Sequence, residues 1–206
     1  MDKLKVPDIV LTYPTGFPEE LIVNEVLEIQ VDKLDLKISK EDHTLFMAFE
    51  WVIPTAFGVY ILKPYFDSFL SEAGKDHYNI LKNGLKNIVD KAKLIKARMI
   101  AATESTEKLS KDYNQSSVIS FTIQTKNNRQ IRLLFDDDLE KSDWDNAIDE
   151  LLDFVIENYE LYPNDKLTNA ISEKSKKEYE TIYVIINPIT KQIEFFNDSD
   201  LIKKYK

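Results

Sequence analysis

The side chains whose types and spacing could do chemistry are two histidines, one isolated glutamate and two blocks of opposite charge. Asp76 directly precedes His77, and a carboxylate beside an imidazole is a starting point for acid–base chemistry. No GxSxG and no HExxH accompanies it, so a nucleophile elbow or a His-rich zinc centre is not expected. His43 and His77 therefore read as ordinary helix-start or surface residues. Glu50 is the single charge in the apolar run from Leu45 to Leu62 and stands beside Trp51. It is either a buried, perturbed acid or a residue on the polar edge of its helix that pairs with a lysine, and the second is the simpler expectation.

The charge blocks are larger features. From Lys75 to Arg98 the chain has seven basic and two acidic residues, a balance of +5. From Asp136 to Glu160 it has eleven acidic residues and one lysine, a balance of −10. Lys75, Lys82, Lys86 and Lys93 share a narrow strip of a helical wheel, with Lys91 and Arg98 on the other flank of an apolar seam. Asp136, Asp137, Asp138, Glu140, Asp143 and Asp145 crowd a helix start. Such oxygens can hold Mg²⁺ or Ca²⁺, but the glycine and terminal glutamate of an EF-hand loop are missing, and attraction to the helix dipole accounts for the carboxylates. The two blocks either face each other and solubilise their outer sides, or recognise an external charged partner. In the second case Lys75, Lys82, Lys86, Lys93, Asp137 and Asp143 are the contact residues. No catalytic residue, cofactor site or metal site is expected, and four scattered glycines cannot build a phosphate-binding loop.

Composition narrows the class. A chain of 206 residues with 43% hydrophobic and 31% charged residues is that of a globular protein able to bury a real core. The absence of cysteine excludes disulfides, thiolate catalysis and cysteine metal sites, and fits a reducing cytoplasm. The first eleven residues hold no stretch of signal-peptide length, so export by that route is not expected. A net charge of −9 disfavours nucleic acid as a partner of the whole surface.

The elements that must position these groups follow from periodicity. Tyr78, Leu81, Leu85, Ile88, Ala92, Ile95 and Met99 recur at alternating steps of 3 and 4, which predicts one long helix to about residue 101 with a seam that something must cover. Leu45–Leu62 reads as an apolar helix kinked at Pro54, with a second short helix from Pro64. Leu27, Ile29 and Val31 alternate with polar residues, as do Leu34, Leu36 and Ile38, which suggests a hairpin turning at Asp32-Lys33. In the C-terminal part Ile119, Phe121 and Ile123 alternate, turn at 126–129, and return as Ile131, Leu133 and Phe135. Ser142 is placed to cap a helix with the buried stripe Trp144, Ile148, Leu151, Val155 and Tyr159, and a second hairpin joins Ile182–Ile186 to Ile193 and Phe195. The expected class is α+β. A helical N-terminal part, with a kinked apolar helix and a long basic amphipathic helix, packs on a C-terminal antiparallel sheet of ββαββ type. The parts divide as 1–102 and 117–206, or run on as one domain.

Three functions fit this pattern. The first is a non-enzymatic interaction or regulatory protein in the cytoplasm, recognising a protein partner, or itself, through charged surfaces. The second is a membrane-associated protein using 45–62 and the basic helix 75–99. The third is a metal-dependent hydrolytic enzyme using Glu50, His77 or the 136–145 carboxylates.

Overall fold

The computed structural model describes residues 6–15, 23–32, 34–41, 57–69, 74–94, 115–136, 138–177 and 179–204. Within them the chain runs β1 (Ile9–Pro14), α1 (Val23–Ile29), β2 (Leu36–Glu41), β3 (Phe57–Ile61), α2 (Lys63–Phe69), α3 (Gly74–Leu94), β4 (Gln115–Gln124) and β5 (Gln130–Asp136). It continues as α4 (Lys141–Leu161), α5 (Lys166–Lys174), β6 (Ile182–Ile186), β7 (Ile193–Phe196) and α6 (Asp198–Lys204).

All seven strands join one mixed sheet in the order β2-β1-β3-β4-β5-β6-β7. Parallel pairs β1–β2, β3–β4 and β5–β6 alternate with antiparallel pairs β1–β3, β4–β5 and β6–β7. A parallel pair cannot be closed by a tight turn, so a crossover must carry the chain back to the starting end. Here α1 lies between β1 and β2, α2 and α3 between β3 and β4, and α4 and α5 between β5 and β6. Tight turns close the β4–β5 and β6–β7 pairs. In the first, Asn128 takes a positive φ of 65°, a conformation asparagine tolerates. In the second, the Asn187 side chain accepts from the backbone N–H groups of Ile189 and Thr190 at 2.8 and 3.0 Å.

Helices α1 to α5 share one face of the sheet. Leu11, Val59, Phe121, Leu133, Val184 and Phe195 are paired in succession across six strands, and all six are buried. They form one core with Val26 and Ile29 of α1, Tyr65 and Phe66 of α2, Leu81, Leu85 and Ile88 of α3, Trp144, Leu151 and Val155 of α4, and Leu167 and Ile171 of α5. The opposite face carries Thr12, Gly58, Ser120, Thr122, Arg132 and Leu134, with α6 over its β6–β7 end.

This architecture corrects the expected fold class. The N-terminal part is not a helical layer beside a separate sheet, because β1, β2 and β3 are strands of the same sheet as β4 to β7. The four C-terminal strands are not an antiparallel ββαββ sheet either, since β5 and β6 run parallel. Both expected hairpins are present, but α4 and α5 together return the chain to the starting end of β5, which makes the next strand parallel. The apolar run expected as a kinked helix ends in β3, where Phe57, Val59 and Ile61 are fully buried. Residues 42–56, with Glu50, Trp51, Pro54 and His43, lie outside the described residues. The expected strand through Leu27 and Ile29 is helix α1. Val26 and Ile29, three apart, are buried while Leu27 is 55% exposed, so the helical period prevails over the alternation.

Gly84 marks a close approach of α1 to α3. A Cβ there would lie 2.3 Å from Ile29 Cγ1, which sits in the middle of a packed side chain. Gly84→Val adds a branched side chain at this contact and is expected to destabilise the chain by about 1–3 kcal/mol, read as a lower urea midpoint with unchanged slope.

Candidate functional site

Among the described residues, opposite charges of the two blocks meet where α3 packs against α4. The described part of the α3 seam is closed inside the chain, with Leu81, Leu85 and Ile88 buried in the common core and Tyr78 packed at its edge, while Ile95 and Met99 of the expected seam lie outside the described residues. The lysines beside the seam meet the carboxylates of α4. Lys82 Nζ lies 3.4 Å from Asp149 and 3.3 Å from Asp153, and Lys86 Nζ lies 2.6 Å from Asp149. The Tyr78 hydroxyl donates to Asp153 at 2.6 Å, and Lys82 Nζ sits 5.2 Å above the Tyr78 ring. Burial, then the Asp153 hydrogen bond and charge, push the Tyr78 phenol far above its ordinary value, so it stays a donor. Lysine stems cover the edge of the seam while their charges are met at its rim. Pairs of this exposure contribute about 1 kcal/mol each at most.

The other expected contact residues are dispersed. Lys75 and Lys93 lie near the two ends of α3. Asp137 lies outside the described residues. Asp143 is at the start of α4, where the Glu140 N–H donates to it at 3.3 Å and Lys191 pairs with it at 2.8 Å. Glu140 and Asp143 thus form the capping box, so the cap lies two residues before the expected one at Ser142. Asp145 pairs with Lys141 at 2.7 Å. The Asp136 side chain accepts from the Asp138 N–H at 3.0 Å, and burial raises its pKa above the usual carboxylate value. Among the described residues no three His, Asp or Glu side chains are grouped to hold a metal ion.

Two buried polar centres escaped the sequence reading. The first is at His77, expected as an ordinary helix-start or surface residue: it does lie in the first turn of α3, but it is only 5% exposed. Its Nε2 lies 3.1 Å from the Ile29 carbonyl, which can only accept, so that nitrogen carries the proton. Nδ1 is left to accept from the Tyr65 hydroxyl at 3.2 Å. Burial, then the charge of Asp8, push the Tyr65 phenol up. The imidazole thereby ties the C-terminal end of α1 to α2 and α3.

The second centre lies beneath the β4–β5 turn. Asn158, 1% exposed, accepts from the Lys126 N–H at 2.9 Å and donates to Asp165 at 3.1 Å and to Thr168 at 3.0 Å. Asp165, fully buried, caps α5 by accepting from the Thr168 N–H at 2.8 Å and from its hydroxyl at 2.7 Å. Burial alone would raise its pKa, but the Thr168 and Asn158 hydrogen bonds outweigh it and hold the carboxyl below its ordinary value. The readable signal was Asp165 three residues before Thr168 at the head of the Leu167–Ile171 helical spacing. Asn158 gave none, because nothing in the chain order shows which turn an asparagine will meet.

Compared with protein-family models, with curated proteins and with solved structures, the chain matches none.

A depressed folded-state pKa makes the ionised Asp165 a source of stability that is fully present above the ordinary carboxylate value and lost as pH falls through the lowered one. Asp165→Asn is expected to cost about 1–3 kcal/mol near pH 7, with the difference from the parent shrinking below about pH 4, as measured by urea unfolding across that range.

Proposed function

We propose that this protein is a non-enzymatic interaction or regulatory protein of the cytoplasm, and that it recognises a basic segment of a protein partner through its acidic surface. The observation that carries the reading is the pairing of Lys82 and Lys86 with Asp149 and Asp153. The middle of the basic helix is met inside the chain, so it is less suited to receive an acidic partner. The acidic side keeps exposed Asp138, Glu140 and Glu160 in a chain of net charge −9. Lys75, Lys93 and Asp137 stay proposed contacts.

The groups best placed for acid–base or metal chemistry are otherwise engaged. His77 is bonded at both ring nitrogens, Asp143 completes the capping box of α4, and Asp165 caps α5. That use favours the interaction reading over the hydrolytic one. Less supports a membrane role, because the described end of the 45–62 run is a central strand, and among the described residues no helix is long and apolar enough to cross a membrane.

The test is a calorimetric titration of the full chain with a short lysine-rich peptide and, separately, with a short glutamate-rich one. The lysine-rich peptide is expected to bind, to weaken as salt rises, and to lose about tenfold in affinity when Asp138→Lys and Glu140→Lys are combined. Equal binding of both peptides, or binding of the glutamate-rich peptide alone, would sink the proposal.

A further inference from the structure

We propose that α6 is a reversible latch, which docks and undocks as a unit while the seven-stranded sheet and its main core stay folded. Its place in the sheet supports this. Leu134, Tyr183, Ile185 and Leu201 form a cluster of their own, on the face opposite the main core, with Phe196 at the edge. Side chains alternate along a strand, so the residues α6 covers are not those that α1 to α5 cover. Its departure uncovers Leu134, Tyr183 and Ile185 without opening the larger core.

The latch is held by one apolar anchor and a polar rim. Leu201 is the one buried side chain of the helix, at 0% exposure. Asn197 supplies the cap, its Oδ1 accepting from the Asp200 N–H at 2.8 Å and its carbonyl from the Leu201 N–H at 3.0 Å. Asn197 Nδ2 also donates to the Lys174 carbonyl at 2.7 Å. Lys204 lies 3.5 Å from Glu194 and 4.8 Å over the Phe196 ring, and the Tyr183 hydroxyl bonds the Asp198 carboxylate. Exposed ties of this kind add little individually. Asp198 and Asp200 in the first turn and Lys203 and Lys204 in the last suit the helix dipole. Seven residues are nonetheless too few to stay helical alone, so helix formation and docking are a single event. The exposure of an apolar patch on β5 and β6 then depends on a small helix whose opening is separate from global unfolding.

Amide hydrogen exchange on the full chain tests this. The amides of Leu201–Lys204 are expected to be protected, yet to exchange on the order of a hundredfold faster than those of Ala147–Val155 in α4. Leu201→Ala is expected to speed exchange in α6 by about thirtyfold while leaving α4 within about threefold. Equal protection in the two helices, or an equal loss in both on Leu201→Ala, would make α6 an integral part of the global fold. Absent protection in the parent chain would leave no docked state, and an α6 indifferent to Leu201→Ala would have no anchor. Any of the four outcomes overturns the proposal.

Discussion

One row of side chains crosses this molecule from edge to edge, and the rest of the structure depends on it. Ile38, Leu11, Val59, Phe121, Leu133, Val184 and Phe195 are cross-strand partners in succession through all seven strands. A neighbouring row runs through Leu36, Ile9, Ile61, Ile123, Ile131 and Ile182. A slip of one residue at any pairing would turn one strand's apolar set to the other face. Burying these rows on one side, except at the edge where Ile38 is 46% exposed, requires helices there, and parallel strand pairs require crossovers, so the same helices meet both demands.

The charged features follow from that layering. With α3 and α4 side by side on the sheet, the basic edge of one and the acidic edge of the other fall along a common boundary. Lys82, Lys86, Tyr78, Asp149 and Asp153 assemble there as the polar lip of an apolar contact. Their individual contributions are small. The larger effect is on register, because a shift of α3 along α4 would part these pairs and separate the packed apolar side chains. The buried centres act similarly at the end of the sheet. His77 locks α1 to α3 through the Ile29 carbonyl, and Asn158 with Asp165 locks the β4–β5 turn to the start of α5.

The second face of the sheet is built on different rules. Thr12, Ser120, Thr122 and Arg132 are buried there, and Gly58 lies between Thr12 and Ser120 in the pairing. A Cβ on Gly58 would stand 2.8 Å from Thr12 Oγ1 and 2.8 Å from Tyr60 Cε2, so only glycine lets those side chains lie across the strand. Towards β6 and β7 this face turns apolar, and there α6 sits.

Sequence by itself determined the local elements whose pattern repeats over several residues. The two C-terminal hairpins, the buried stripe of α4 and the helix of α3 were all readable, because period 2 and period 3.6 are properties of neighbouring residues. The opposed charges of Lys75–Arg98 and Asp136–Glu160 were readable too, but not whether they would meet. Tertiary structure alone decided the direction of β6 beside β5, the membership of β1 to β3 in one sheet, and the helical state of Leu27 and Ile29. It alone decided the burial of His77 and the assembly of Asn158 with Asp165. The reason is common to all of them. Strand direction depends on the end of the sheet to which a crossover delivers the chain, and burial depends on which distant element arrives to cover a residue. Neither quantity is encoded in the spacing of adjacent side chains.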